Sequence, residues 1–188
     1  MAMKYLGETV DIHAGAVDLI FPHHQNEIAQ SEAVTGKRFV NYWLHGAHIN
    51  VDDTKMSKSL GNFLTISDVA ETPDDARAFR YLVVSSHYRT AFNFSKEALD
   101  GARNTMRHLN NFRNRLSEVN RSDGGTNLEQ VVAQARERFV AHMDDDLNSP
   151  RAMASVFEMV STVEDLLGDD SVDQSGAEVG PDLIEVRV

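Results

Sequence analysis

The chain has 188 residues, 29 acidic and 18 basic, a net charge of −11 with histidine neutral, 41% hydrophobic residues and no cysteine. That length allows one large domain or two small ones with a real buried core. The composition excludes a disulfide framework and a metal site completed by thiolates of this chain. No apolar run reaches membrane-spanning length, and the first residues, Met1-Ala2-Met3-Lys4-Tyr5, lack the apolar stretch of a signal peptide, so a cytoplasmic protein without a membrane contact is expected.

Val10 to His13 reads as a short strand, followed by a small-residue turn at Ala14-Gly15-Ala16. Pro22 suits the first turn of a helix over His23 to Val34, with Gly36 as its stop. Phe39 to Asn50 reads as extended, and the polar run Asp52 to Asn62 as a loop. A helix is expected from Pro73 to about Ser85, its acids at the favourable end. Ser95 caps a longer helix whose apolar residues Leu99, Ala102, Met106, Leu109, Phe112, Leu116 and Val119 make one stripe. Asp123-Gly124-Gly125 breaks it. A second amphipathic run spans Leu128 to Met143, Asp144 to Pro150 turns the chain, and a third run spans Met153 to Leu167. Three such helices with short connections predict an antiparallel bundle. From Gly168 onward acids, Gly and Ser dominate, so the tail is expected to be disordered, with a weak strand pattern over Val179 to Val188. The fold class expected is therefore α/β, then all-α.

Charge divides unevenly. The chain has 13 Arg against 5 Lys, and 17 of its acids are Asp. An acidic, Asp-rich, Lys-poor surface suits a halophilic protein in high-salt cytoplasm; the alternative is an ordinary acidic protein. Between Arg77 and Arg115 the balance is +6, leaving −17 elsewhere. Such an island could dock a polyanion, or be a solvated helix face whose Arg stems cover the core.

Three groups of residues could carry chemistry. His23 and Glu27, four apart, share one helix face, and imidazole and carboxylate both ligate zinc; the same spacing also makes a surface hydrogen bond. His13 and His24 raise the density of imidazoles without closing a tetrahedron. Lys55 and Lys58, three apart among small hydroxylic residues, can reach phosphates from one side, although the glycines of a Walker loop are missing. Gly15 and Asp18, between strand and helix, could admit a nucleotide and accept from a ribose hydroxyl.

In order along the chain, the string from Asp11 to Gln30, then Asn41-Tyr42-Trp43-Leu44-His45, then Lys55-Met56-Ser57-Lys58-Ser59-Leu60-Gly61-Asn62 resembles the cysteinyl-tRNA synthetases. His87-Tyr88-Arg89 and the run from Asp144 to Pro150 look like that family's helical region, so the resemblance covers residues 1 to 168. The Lys loop by itself says only class I aminoacyl-tRNA synthetase. The resemblance implies the second half of a Rossmann-like catalytic domain over residues 1–66, a stem-contact-like connector over 67–94, a helical bundle on the tRNA-binding side over 95–168, and the tail over 169–188.

It also implies roles. His23 and Glu27 match two of four protein ligands of a zinc that takes the cysteine thiolate, a choice that favours sulfur over oxygen. His13 matches an imidazole lining the cysteine pocket. Gly15 and Asp18 match the ATP ribose region. Lys55 and Lys58 match the mobile loop that stabilises departing pyrophosphate, with ATP entering as its magnesium complex. Ala14, Ala16 and Val17 depart from a run usually written with glycines and a small residue, and Gln25 stands where Glu is usual. The family's first nucleotide-binding half, with its H-I-G-H-type motif and the zinc cysteines, has no counterpart in these residues. The expectation is therefore a piece of a cysteine–tRNA ligase (a fragment, a split gene product or a pseudogene) whose full-length enzyme acts on cysteine, ATP and tRNA-Cys, which is inactive alone and for which a separate N-terminal half is a candidate partner. Two alternatives stand beside it: a non-catalytic RNA-binding or regulatory paralogue, and the related ligase that joins cysteine to an amino-sugar inositol without tRNA.

Overall fold

The computed structural model describes residues 2–118 and 126–168. These form two compact units, one of the described residues up to Leu64 with Tyr88–Ser95, the other of Thr65–His87 with the described residues from Lys96 onward. The stretch 67–94, read from sequence as a connector, is thus divided between them at His87. The expected break at Asp123-Gly124-Gly125, Val119, the tail over 169–188 and the pattern over Val179 to Val188 lie outside the described residues. Among the described residues no helix is long and apolar enough to cross a membrane.

The first unit opens with a short helix, α1 (Ala2–Leu6), and is built on a βαβ crossover. Strand β1 (Val10–Ala16) lies parallel to β2 (Val40–Gly46), with helix α2 (Gln25–Thr35) between them in sequence. Ala14-Gly15-Ala16, expected to turn, instead continue the strand opposite Leu44, His45 and Gly46. Small side chains are poor strand formers alone, but a paired ladder on one side holds them extended. The chain then leaves the sheet through a tight turn at Val17–Leu19 and a wide one at Ile20–His24. Phe21, before Pro22, is extended (φ −135°, ψ 131°), and the peptide between them is cis. A residue before proline avoids helical angles, which keeps Phe21 outside the helix, whereas His24 already has helical angles (φ −66°, ψ −32°) and leads directly into α2. Its stop is the expected one: Gly36 adopts φ +65° and its N–H donates to the Glu32 carbonyl at 2.8 Å. Val10, Phe39 and Val40 are buried at the start of the two strands, packed by Ile28 and Trp43.

A second sheet runs β4 (Thr54–Lys55), β3 (Ile49–Val51), β5 (Phe92–Phe94), with β3 antiparallel to β4 and parallel to β5. The run Asp52 to Asn62, expected as loop throughout, therefore begins as a hairpin. Its two-residue turn uses Asp52 (φ +48°) and Asp53 (φ +60°), and Asp is one of the few residues that enter the left-handed region at modest cost.

The second unit is helical. Helix α3 (Ile66–Val69) precedes α4 (Pro73–Val84), α5 (Lys96–Glu118), α6 (Thr126–Asp144) and α7 (Ser149–Gly168). Thr72 starts α4 with a reciprocal cap: its Oγ1 accepts from the Asp75 N–H at 3.2 Å, and Asp75 Oδ2 accepts from the Thr72 N–H at 3.0 Å. The predicted stripes meet where Phe112 of α5 packs with Val160 and Val163 of α7, bordered by Leu128 and Val131 of α6. Tyr81 of α4 meets Phe157 of α7 edge to face.

Candidate functional site

The carboxyl ends of β1 and β2 and the start of α2 bring four imidazoles, a carboxylate and the chain's single tryptophan together. His13 on β1 stands opposite Trp43 on β2, their rings 4.9 Å apart. Trp43 and His45, two apart on one strand, share a face and stack at 3° between planes. His24, at the end of the wide turn, fits against Trp43, with ring centroids 4.8 Å apart, and its Nδ1 lies 2.8 Å from His45 Nε2. One of these two nitrogens carries the proton and donates to the other.

Gly15 makes that arrangement possible. A Cβ built there would sit 2.7 Å from His24 Cε1 and 3.0 Å from its Nε2. The glycine supplies room, since the backbone here is ordinary strand. His24 is only 3% exposed. Burial first, then the neighbouring His13 and His45, pushes its pKa down, so the ring is neutral in neutral solution.

Glu27, in the first turn of α2, is bracketed by imidazoles. Its Oε2 lies 3.1 Å from His13 Nε2, and its Oε1 lies 3.7 Å from His23 Nε2. The spacing of His23 and Glu27 thus does put both on one face. His23 is exposed, however, while His24 is the buried ring. Oε2 is buried and, although at ion-pair distance from His13, makes no hydrogen bond. One ligand atom each from His13, His24 and Glu27 falls within 4.8 Å of the others. An orphaned buried carboxylate oxygen among imidazole nitrogens suits a borderline-soft divalent cation, and the donor chemistry fits zinc. Asp18 lies in the turn after β1 and is exposed.

Sequence reasoning passed over Trp43 and His45 as chemistry. The available signal was their i, i+2 spacing on a strand, which shares a face with nothing between.

The Lys loop lies in the same unit. Lys55 is on β4, its Nζ 3.4 Å from His48 Nε2, and Lys58 sits in a tight turn at Lys58–Leu60 with its ammonium 5.3 Å from the Phe63 ring centre. Both lysines are exposed. Asn62 ties the loop: its Oδ1 accepts from the Ser57 N–H at 2.9 Å, and its Nδ2 donates to the Lys55 carbonyl at 3.1 Å. Ser57 Oγ accepts from the Leu60 N–H at 3.2 Å and caps the turn.

In the helical unit the basic island is partly neutralised. Arg103 pairs with Asp75 at 2.7 Å and with Asp100, Arg77 pairs with Asp74, and Arg115 pairs with Glu164. Asp75 is held below the usual carboxylate range, first by the Thr72 hydroxyl and then by Arg103.

Residues 1–104 match the family model for class I tRNA synthetase (C) catalytic domains, and residues 138–182 match that for DALR domains. Among curated relatives, a cysteine–tRNA ligase of Symbiobacterium thermophilum is 47% identical over 85% of this chain and 35% of its own length. That of Oenococcus oeni is 42% identical over 99% of this chain and 40% of its own. The chain therefore spans about a third to two fifths of the length of these relatives. Among solved structures, the Agrobacterium radiobacter K84 LeuRS, in a ternary complex with tRNA and LeuAMS, superposes with a TM-score of 0.63 over 88% of this chain and 24% of that one, at 15% identity. The likeness extends to the fold.

Proposed function

The chain belongs to the class I tRNA synthetase (C) family, and from that premise we propose that it supplies the cysteine-reading and pyrophosphate-side parts of a cysteine–tRNA ligase, with a helical unit that meets tRNA-Cys. The observation that carries the reading is the Glu27 carboxylate. One of its oxygens is buried without a hydrogen bond, and it stands between His13 and His23 beside the neutral His24.

The reaction has two steps. The cysteine carboxylate attacks the α-phosphate of ATP, entering as its magnesium complex; a new oxygen–phosphorus bond forms and pyrophosphate leaves. The terminal ribose hydroxyl of tRNA then attacks the acyl carbon and releases AMP. In this reading Lys55 and Lys58 meet the negative charge that gathers on the departing pyrophosphate. Gly15 and Asp18 face the adenosine ribose, and His13 lines the cysteine pocket. His23 and Glu27, with His13 and His24 close beside the carboxylate, would hold zinc, which when bound would supply a soft Lewis acid that ligates a thiolate more firmly than a hydroxyl. The buried, neutral His24, bonded to His45, stiffens the pocket wall and leaves the carboxylate of Glu27 for the cation.

Relatives are more than twice as long, and the chain has no thiolate to complete a zinc site. Assayed alone, the 188 residues are expected to give no cysteine-dependent ATP–pyrophosphate exchange, because the phosphates would be met from one side only. The reading includes a cytoplasm of high salt, motivated by the Asp-rich surface; a melting temperature that climbs with KCl to molar levels supports it, and a flat one removes it.

The test is a chimera in which these 188 residues replace the matched segment of the Symbiobacterium thermophilum relative. It should catalyse cysteine-dependent exchange, and Lys58→Ala should lower it by about a hundredfold. A folded chimera without exchange, or one indifferent to Lys58→Ala, contradicts the assignment.

A further inference from the structure

The sheet β4-β3-β5 has two unlike faces, set by its register. Ile49 pairs with Phe92 and Val51 with Phe94, which makes one face apolar. Asn50 pairs with Lys55 on one side and Asn93 on the other, which makes the opposite face polar. His48 precedes β3 by one residue and Asn50 by two, so it belongs to the polar face, diagonal to Lys55. Backbone bonds pin it there: the Phe92 N–H donates to the His48 carbonyl at 3.2 Å, and the Met56 N–H donates to the Ile49 carbonyl at 3.0 Å.

The result is His48 Nε2 at 3.4 Å from Lys55 Nζ. An ammonium only donates, so the imidazole nitrogen is the acceptor. His48 is then neutral and carries its proton on Nδ1. One of the three ammonium protons is engaged and two remain for phosphate oxygens. A protonated His48 could not accept and would repel the ammonium.

The other charged groups on the surrounding elements are few. β3 and β5 contribute no titratable side chain. In the hairpin turn are Asp52 and Asp53, and Asp53 is bound by Asn93, whose Nδ2 donates to its Oδ1 at 2.7 Å and whose Oδ1 accepts its N–H at 2.9 Å. On the segment leading to β5, Arg89 lies over the Tyr88 ring, 5.0 Å from its centre.

We propose that His48 is a positioning residue for adenylate formation: neutral Nε2 holds the Lys55 ammonium at the edge of the sheet, aimed at the leaving pyrophosphate. The proposal rests on the reading of Lys55 as a phosphate-side cation given above. His48 touches no reacting atom itself. It restricts a flexible four-carbon side chain to one direction, which is where a positioned charge gains over a free one.

The experiment uses the same chimera and measures exchange at saturating cysteine and ATP. Lys55→Ala should cost about a hundredfold in kcat. His48→Ala should cost about tenfold, with the KM for ATP little changed. His48→Gln, which keeps an acceptor oxygen and cannot be protonated, should recover most of the rate. In the double variant His48→Ala should add nothing to Lys55→Ala. If Lys55→Ala is silent, the reading of the loop fails. If Lys55→Ala is costly while His48→Ala is silent or additive with it, that reading stands and the positioning role is overturned. A measurement on the parent 188-residue chain guards against misfolded variants. Long-range nitrogen–proton spectra should show His48 neutral and protonated on Nδ1, with Nε2 shifting on Lys55→Met; a proton on Nε2 overturns the proposal.

Discussion

Replacing Gly15 by alanine should damage the imidazole cluster by crowding the His24 ring. The new methyl would stand 2.7 Å from His24 Cε1, and the ring cannot swing away. It is enclosed by His13, Trp43 and His45, with ring centres 5.0, 4.8 and 5.0 Å distant. Overfilling of this kind costs about 1–3 kcal/mol. If the ring is displaced enough to break the His24–His45 bond, a further ~1 kcal/mol follows. Gly101→Ala is the matched control. It lies inside α5 with nothing within 4 Å of the added methyl, and should stabilise its helix by about 0.4–1 kcal/mol. The single tryptophan, Trp43, stands in the cluster and reports on it by fluorescence during urea unfolding, while circular dichroism reports chiefly on the helices. Gly15→Ala should lower the urea midpoint and shift the Trp43 emission of the folded state. A Gly15→Ala chain as stable as its parent, with unchanged Trp43 emission, would refute the packing argument.

Two further outcomes concern the helical unit. Thr72→Ala should cost about 1 kcal/mol by removing the cap of α4, and Thr72→Ser should restore most of it. Because the Asp75 carboxyl is held below its unfolded value, its stabilisation is complete above the ordinary carboxylate range and is lost as pH falls through the lowered value. The gap between parent and Thr72→Ala in urea melts should therefore narrow in strong acid; a gap that widens would reverse the assignment. Arg80→Gln and Arg113→Gln, at exposed positions, should each reduce the salt slope of tRNA binding by about 1, whereas Arg103→Gln, tied to Asp75 and Asp100, should lower helix stability instead. Weaker tRNA binding by a fully stable Arg103→Gln chain would contradict this division.

What could be read in the sequence follows from where the governing interactions lie. The stripe through Phe112, the Gly36 stop and the Pro73 start depend on neighbours one turn away, and they stand as expected. Ala14-Gly15-Ala16 became strand because β2, thirty residues on, pairs with them, which no local propensity reveals. The hairpin at Asp52-Asp53 was hidden by two Asp residues in left-handed angles more often taken by Gly or Asn. In the site, His23–Glu27 spacing was legible, but burial was not. Which of two adjacent histidines points inward depends on the turn around Pro22 and on the space Gly15 leaves. The basic island was overcounted for a similar reason: Asp75 and Glu164, on other helices, lie far along the chain from the Arg residues they neutralise.

The central claim is that the Glu27 cluster reads the thiol of cysteine. Its most direct test is the ratio of kcat/KM for cysteine over serine in ATP–pyrophosphate exchange by the chimera, with His23→Ala and Glu27→Gln alongside. The account predicts a strong preference for cysteine in the parent that falls by at least tenfold in either variant, with the serine rate little changed. A preference for cysteine that survives both substitutions in full would contradict it.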